Sequence, residues 1–131
     1  GTMSYYFNTT LSETNFEETL ETVTNELAKA GFGVVSIIDL AKTFKKKIDI
    51  DFKKYTILGA CNPSYAHQAL LTEDKIGVLL PCNVAVIEQT NGSIEVAAVD
   101  PVTSMAPVEN TKLAAISQEI QEKLQRVIQG L

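Results

Sequence analysis

Histidine and cysteine are nearly missing from this chain: it has one histidine, His67, and two cysteines, Cys61 and Cys82. Three nitrogen and sulfur ligands with no Cys-x-x-Cys spacing exclude the common closed zinc patterns, unless a carboxylate such as Asp100 joins them. Two cysteines also make no disulfide framework, and in a reducing compartment they read as free thiols. Basic residues are scarce too. Eleven Lys and Arg stand against sixteen Asp and Glu, a net charge of −5. That removes the basic face a general nucleic-acid binder needs to displace counterions, and it argues against an anionic membrane surface. No apolar run approaches the ~20 residues of a bilayer span. The opening Ser4-Tyr5-Tyr6-Phe7-Asn8 has neither the basic nor the long apolar region of a signal peptide, so the expected location is the cytoplasm. Gly31-Phe32-Gly33 lacks a third glycine and follows a helix pattern, which excludes a phosphate-cradling loop. No Ser-His-Asp arrangement or carboxylate pair can be read from spacing. Gly1-Thr2 ahead of Met3 reads as an expression scar, leaving residues 3–131 as one domain.

What is present suffices for a core: 45% of 131 residues are hydrophobic, enough for a single domain without staples. Residues 4–11 read as a strand. Thr14 and Glu17 stand at capping-box spacing before Phe16, Leu20, Val23, Leu27 and Ala30, which predicts an amphipathic helix over 15–30, ended by Gly31. Residues 32–40 form an apolar β-branched run. Asp39 caps a short helix with Leu40, Phe44 and Ile48 on one side. Residues 54–60 predict a third strand, and Asn62 with Pro63 opens a helix to about Leu71. Residues 76–80 and 84–89 are strand-like around Pro81. Asn91-Gly92 signals a type I′ hairpin into residues 93–99. Residues 101–110 read as loop, and Leu113, Ile116, Ile120, Leu124 and Val127 mark a final helix. The order β-α-β-α-β-α-β-β-α is that of an α+β domain: a single sheet of about five strands with helices packed on it.

Two dipeptides stand out, each tied to a proline: Cys61-Asn62-Pro63 and Pro81-Cys82-Asn83. Cys61 is predicted at a strand end before a helix N-terminus, where unpaired amides and the dipole favour a thiolate. If the fold brings the two segments together, Cys61, Asn62, His67, Cys82 and Asn83 share a crevice, with the Asp100 carboxylate within reach. Three readings stay open. The thiols, with His67, hold a small ligand or a soft metal such as zinc or copper(I), or respond together to oxidation. Or both cysteines are small buried hydrophobes, Asn62 is only a cap and Asp100 only a strand terminator, in a structural or protein-interaction module. Or the chain is a thiol enzyme with His67 as base, which the spacing supports least. The six lysines between Lys42 and Lys54 read as a solvated helix face.

The ordered series Gly31-Phe-Gly-Val-Val, Leu40-Ala-Lys-Thr-Phe-Lys-Lys-Lys, Tyr55-Thr-Ile-Leu-Gly-Ala-Cys-Asn-Pro, Ala66-His67-Gln-Ala-Leu, Ile76-Gly-Val-Leu-Leu-Pro-Cys-Asn-Val and Asp100-Pro101 resembles the domain-of-unknown-function 302 family (DUF302). The resemblance covers roughly residues 31–101. It implies a compact α/β domain that forms a homodimer and has no established reaction. It also implies that Asn62-Pro63 is the shared element and that the cysteines belong to one branch. For a dimer, the strand at Val84–Ile87 and the last helix are the surfaces the sequence offers.

Overall fold

The computed structural model describes residues 4–131; the expected scar, Gly1-Thr2, lies outside them. Five strands, β1 (Tyr6–Leu11), β2 (Gly33–Asp39), β3 (Tyr55–Cys61), β4 (Cys82–Glu88) and β5 (Ile94–Val99), form one sheet in the order β1-β5-β4-β3-β2. Every neighbouring pair is antiparallel. The helices are α1 (Phe16–Lys29), α2 (Leu40–Ile48), α3 (Pro63–Thr72), α4 (Pro101–Met105) and α5 (Thr111–Gln129), with a 3-10 turn at Asp74–Leu79. The α+β expectation holds.

Period-two alternation gives the sheet its two faces. Val84 and Val86 of β4 and Ile94, Val96 and Ala98 of β5 point one way and are fully buried. Val23 and Leu27 of α1 and Ile120, Leu124 and Ile128 of α5 cover them, and together these residues are the main core. A smaller cluster of Ala69, Ile76, Met105 and Leu113 pins α3, the 3-10 turn and α4 to the start of α5. Of the surfaces offered for a dimer, Val84, Val86 and the apolar stripe of α5 form the core, while Ala85 and Ile87 of the same strand face the open side.

Local signals account for most boundaries. Gly31 has φ +90°. Its amide donates to the Ala28 carbonyl, and the Phe32 amide donates to the Leu27 carbonyl at 2.8 Å. This is a Schellman close, with Leu27 and Phe32 both in the core. The cap of α1 is Asn15, whose side chain accepts from the Glu18 amide at 2.9 Å, one residue beyond the expected Thr14. Asp39 caps α2 as expected.

Three further expectations fail. Residues 76–80 lie within or beside a 3-10 turn, because Ile76 alone of the run is buried and one contact row is all the segment has to satisfy. Residues 101–105 form helix α4, capped by Asp100 with Pro101 in its first turn, the same grammar as Asn62-Pro63. The β4–β5 loop is not type I′: Gly92 alone has positive φ there. Its amide donates to the Gln89 carbonyl at 2.9 Å, and Gln89 pairs with Ser93, a longer loop closed at the glycine.

Candidate functional site

The fold brings the two Cys-Asn segments onto neighbouring strands. Ala60 stands opposite Cys82 and Gly59 opposite Asn83. The pleat then divides them. Cys82 points into the core and is 6% exposed, whereas the exposed Asn83 points out through the other face. Cys61 is half-buried at the end of β3, and both thiols are free. Around them Phe32, Ala60, Ala69, Met105, Ile116 and Ile120 leave a void of only about 20 Å³, space for about one water. Burial, with the Cys61 sulfur as a second cause, pushes the Cys82 thiol up to about 11. A thiol held neutral in an apolar wall is a poor nucleophile and a poor metal ligand.

Of the remaining expected site residues, Asn62 and Asp100 have structural work. Asn62 caps α3, accepting from the Tyr65 amide at 3.4 Å, and its amide nitrogen lies against Gly31, where any Cβ would stand 3.0 Å away. His67 is exposed on α3. Asp100 caps α4 through the Val102 amide at 3.0 Å, and Gln121 donates to both its oxygens at 3.0 and 3.1 Å, tying α4 to α5. Among the described residues no three His, Cys, Asp or Glu side chains are grouped to hold a metal ion, so Cys61, His67 and Cys82 do not assemble as a ligand set.

A much larger cavity than the void beside the thiols lies on the opposite face of the sheet, the one α1 and α5 leave open. It is a groove of about 570 Å³, within the ~300–1,000 Å³ usual for small-molecule sites. Ile57, Ala85 and Ala97 form one row across its floor, in direct register from β3 to β5. Ile87 and Val99 flank that row, Tyr5, Tyr6 and Tyr55 stand at its margins, and Val78 and Leu79 of the 3-10 turn overhang one end. The two alanines make the hollow: small side chains in the middle of a face are flanked by large ones at its edges. Gly59 serves the same end. A Cβ there would stand 2.8 Å from the Pro81 ring and would also run into the Ser36 hydroxyl, so β3 and the Pro81 turn close together only over glycine.

The polar groups of the groove are few. Asn83 and Ser104 line one end and Glu95 the other. The Glu95 carboxylate accepts from Asn8 Nδ2 and from Gln89 Nε2, each at 2.8 Å. It is the one charged residue in the lining. The sequence motifs single out Asn83 but not the groove around it. Its signal lies in the alternate positions of β3, β4 and β5: Ile57, Ala85, Ile87, Ala97 and Val99 are apolar where a solvated antiparallel face carries polar residues.

Comparison with known proteins agrees with this frame. The model of the family described as "Domain of unknown function DUF302" matches residues 7–131. The crystal structure of an uncharacterized conserved DUF302 protein from Bacillus stearothermophilus superposes with a TM-score of 0.89 at 25% identity, covering 97% of this chain and 98% of that one. No curated protein matches.

Proposed function

The chain belongs to the DUF302 family, and from that footing we propose that it is a non-catalytic binding module whose site is the open-face groove. The observation that carries the reading is the apolar floor of Ile57, Ala85 and Ala97 beneath a hollow of about 570 Å³. An antiparallel sheet covered on one side alone ordinarily turns polar residues to water on the other; here that face is shaped and apolar. The ligand class follows from the lining. With one carboxylate and no Lys, Arg or His, the groove favours a neutral or cationic molecule with a flat, extended apolar body and disfavours anions. Asn83, Ser104 and the tyrosine hydroxyls would orient its polar ends. No lining residue pairs a nucleophile with a base, which supports binding without turnover. The void of about 20 Å³ beside Cys61 and Cys82 makes the thiols packing elements in this reading.

The test is titration with the neutral dye Nile red, followed by competition with a benzyl quaternary ammonium ion and with a fatty-acid anion. The groove should bind the dye, yield it to the cation and keep it against the anion. Ala97→Phe fills the hollow from the solvent side and should weaken dye binding about tenfold or more, with the melting temperature little changed. Dye affinity that survives Ala97→Phe would place the site elsewhere and overturn the reading.

A further inference from the structure

Glu95 is the one charge that lines the groove, and among the described residues no ion pair includes it. It is half-buried on β5. Ile87 of β4 stands directly opposite it, and Tyr55 of β3 stands opposite Ile87, so these three form the row beside Ile57, Ala85 and Ala97. Two neutral amides hold the carboxylate. Asn8, opposite Ala97 on β1, donates to one oxygen, and Gln89, just past the end of β4, donates to the other, each at 2.8 Å. Lys53 joins this network at the far end of Gln89, donating to its Oε1 at 3.2 Å. A carboxylate offers about four lone-pair sites, so each oxygen can still accept from a further donor. A glutamine at this position would tie the same two amides without a charge, and a lysine in place of Asn8 would tie the strands and neutralise it. A carboxylate fixed beside an apolar hollow loses hydration, which a cation in the hollow would offset.

We propose that Glu95 is the residue by which the groove selects its ligand, and that the ligand is a protonated amine with an extended apolar body, its nitrogen at Glu95 and its far end toward Asn83. That role presupposes that the groove is the binding site, and it narrows the ligand from neutral or cationic to cationic. The nitrogen can donate to the free lone pairs of the carboxylate in a charge-assisted hydrogen bond. Tyr55 closes the other side of the same row, an aromatic ring of the kind that attracts a cation. Asn83 lies four residues along β4 from Ile87, about 13 Å on strand rise. Between the two lies the apolar floor, so the apolar body of the amine runs along Ala85 and Ala97.

The test compares octylammonium with 1-octanol, which match in chain length and differ in charge. Each is titrated by calorimetry into the full chain and into Glu95→Gln, Glu109→Gln and Ala97→Phe. The wild type should bind the amine about tenfold or more tightly than the alcohol. A readout that needs no variant is salt: the preference should shrink as ionic strength rises from about 20 to 300 mM. Glu95→Gln keeps the shape, removes the charge, and should bring the ratio to about one by weakening the amine. Glu109 is exposed and outside the groove lining. Glu109→Gln removes the same net charge and should leave the ratio unchanged, which separates Glu95 from the general pull of a chain of net charge −5. A wild-type ratio near one, a preference indifferent to salt, one that survives Glu95→Gln, or one lost equally in Glu109→Gln would overturn the role of Glu95. The two readings fail separately. Octanol binding lost in Ala97→Phe with no preference for the amine leaves the groove and removes the selector; octanol binding untouched by Ala97→Phe removes both.

Discussion

Cys82 should be almost inert in the folded protein, and its inertness can be given a size. Its thiol is raised from an ordinary value of 9.0 to about 11 by burial, with the Cys61 sulfur as a lesser cause. At pH 8 that lowers the thiolate fraction about a hundredfold, of which a more basic sulfur recovers about tenfold through greater nucleophilicity. Access sets the other limit. At 6% exposure the sulfur reacts through local opening, which returns the thiol to its ordinary value, and an opening free energy of about 3 kcal/mol slows that route ~150-fold. The slowing is therefore about tenfold for reagent that reaches the closed sulfur and about 10² for reagent that must wait for opening, which a bulky disulfide must. The assay is reaction with Ellman's reagent at pH 8 on Cys61→Ser, which leaves Cys82 alone, compared with a small model thiol; denaturant should abolish the difference. The same burial sets an alkaline signature. Between pH 9.0 and about 11 the unfolded chain has lost the Cys82 proton while the folded chain keeps it. Stability therefore falls as pH rises through that window, by up to ~1.4 kcal/mol per pH unit and ~2–3 kcal/mol in all, and is unaffected by this group below pH 9. Tyrosines and lysines titrate nearby, so the quantity to read is the difference in unfolding free energy between wild type and Cys82→Ala. Labelling of Cys82 at the speed of the model thiol, or a Cys61–Cys82 disulfide forming under mild oxidation while the protein stays folded, would refute the reasoning and restore a coupled thiol site.

Other substitutions probe the frame of the groove and the core. Gly59→Ala drives a methyl into the Pro81 ring and the Ser36 hydroxyl and should cost about 1–3 kcal/mol in urea unfolding; a loss under ~0.5 kcal/mol would mean that the Pro81 turn moves freely. Asp100→Ala removes the α4 cap and both acceptors of Gln121, for an expected loss of about 1–3 kcal/mol. A double-mutant cycle with Gln121→Ala should show a coupling of ~0.5–1.5 kcal/mol, and strict additivity would deny the link between α4 and α5. Leu124→Ala, at a fully buried position, should cost about 2–5 kcal/mol by calorimetry or denaturation. Leu71→Ala, 75% exposed on α3, should fall within about 0.5 kcal/mol of wild type.

Elements with strong local grammar are legible in the amino-acid sequence itself. Asp39 and Asn62 cap the helices assigned to them, Gly31 closes α1, and the stripe of α5 is the stripe that packs. Failures fall where long-range geometry outweighs local pattern. Residues 76–80 have strand composition, but the chain there must turn over the end of the sheet and packs mainly through Ile76, with Leu80 partly buried beside the same cluster. Pro101 and Pro107 read as loop markers, yet a proline in the first turn is as compatible with a helix as with a loop, and the Asp100 cap decides. Strand order is a further case. β1 and β2 are consecutive strands placed at opposite edges, with α1 crossing one face between them. No local signal marks that crossing, so neither the edge strands nor the open face can be read from the residues in chain order.

The same limit explains why the cysteine-bearing segments stand out in the sequence and the groove does not. Two short motifs around the only thiols suggest one crevice, and the register does bring them together, with Ala60 opposite Cys82 and Gly59 opposite Asn83. Proximity along a ladder does not give a shared site, because successive residues of a strand point to opposite faces. Cys82 and Asn83 are adjacent in sequence and serve different volumes: the thiol fills the core, and the amide lines the groove. A dipeptide that reads as one functional unit is thereby split, one member supporting the packing that holds β4 in place and the other standing on the surface so positioned. Strand parity relative to the core resolves the pair, since the burial of Val84 and Val86 fixes Cys82 as inward and Asn83 as outward. Applied to β3 and β5 as well, parity collects Ile57, Ala85, Ile87, Ala97 and Val99 onto the open face, an apolar set that argues for a bound occupant more strongly than the thiols do.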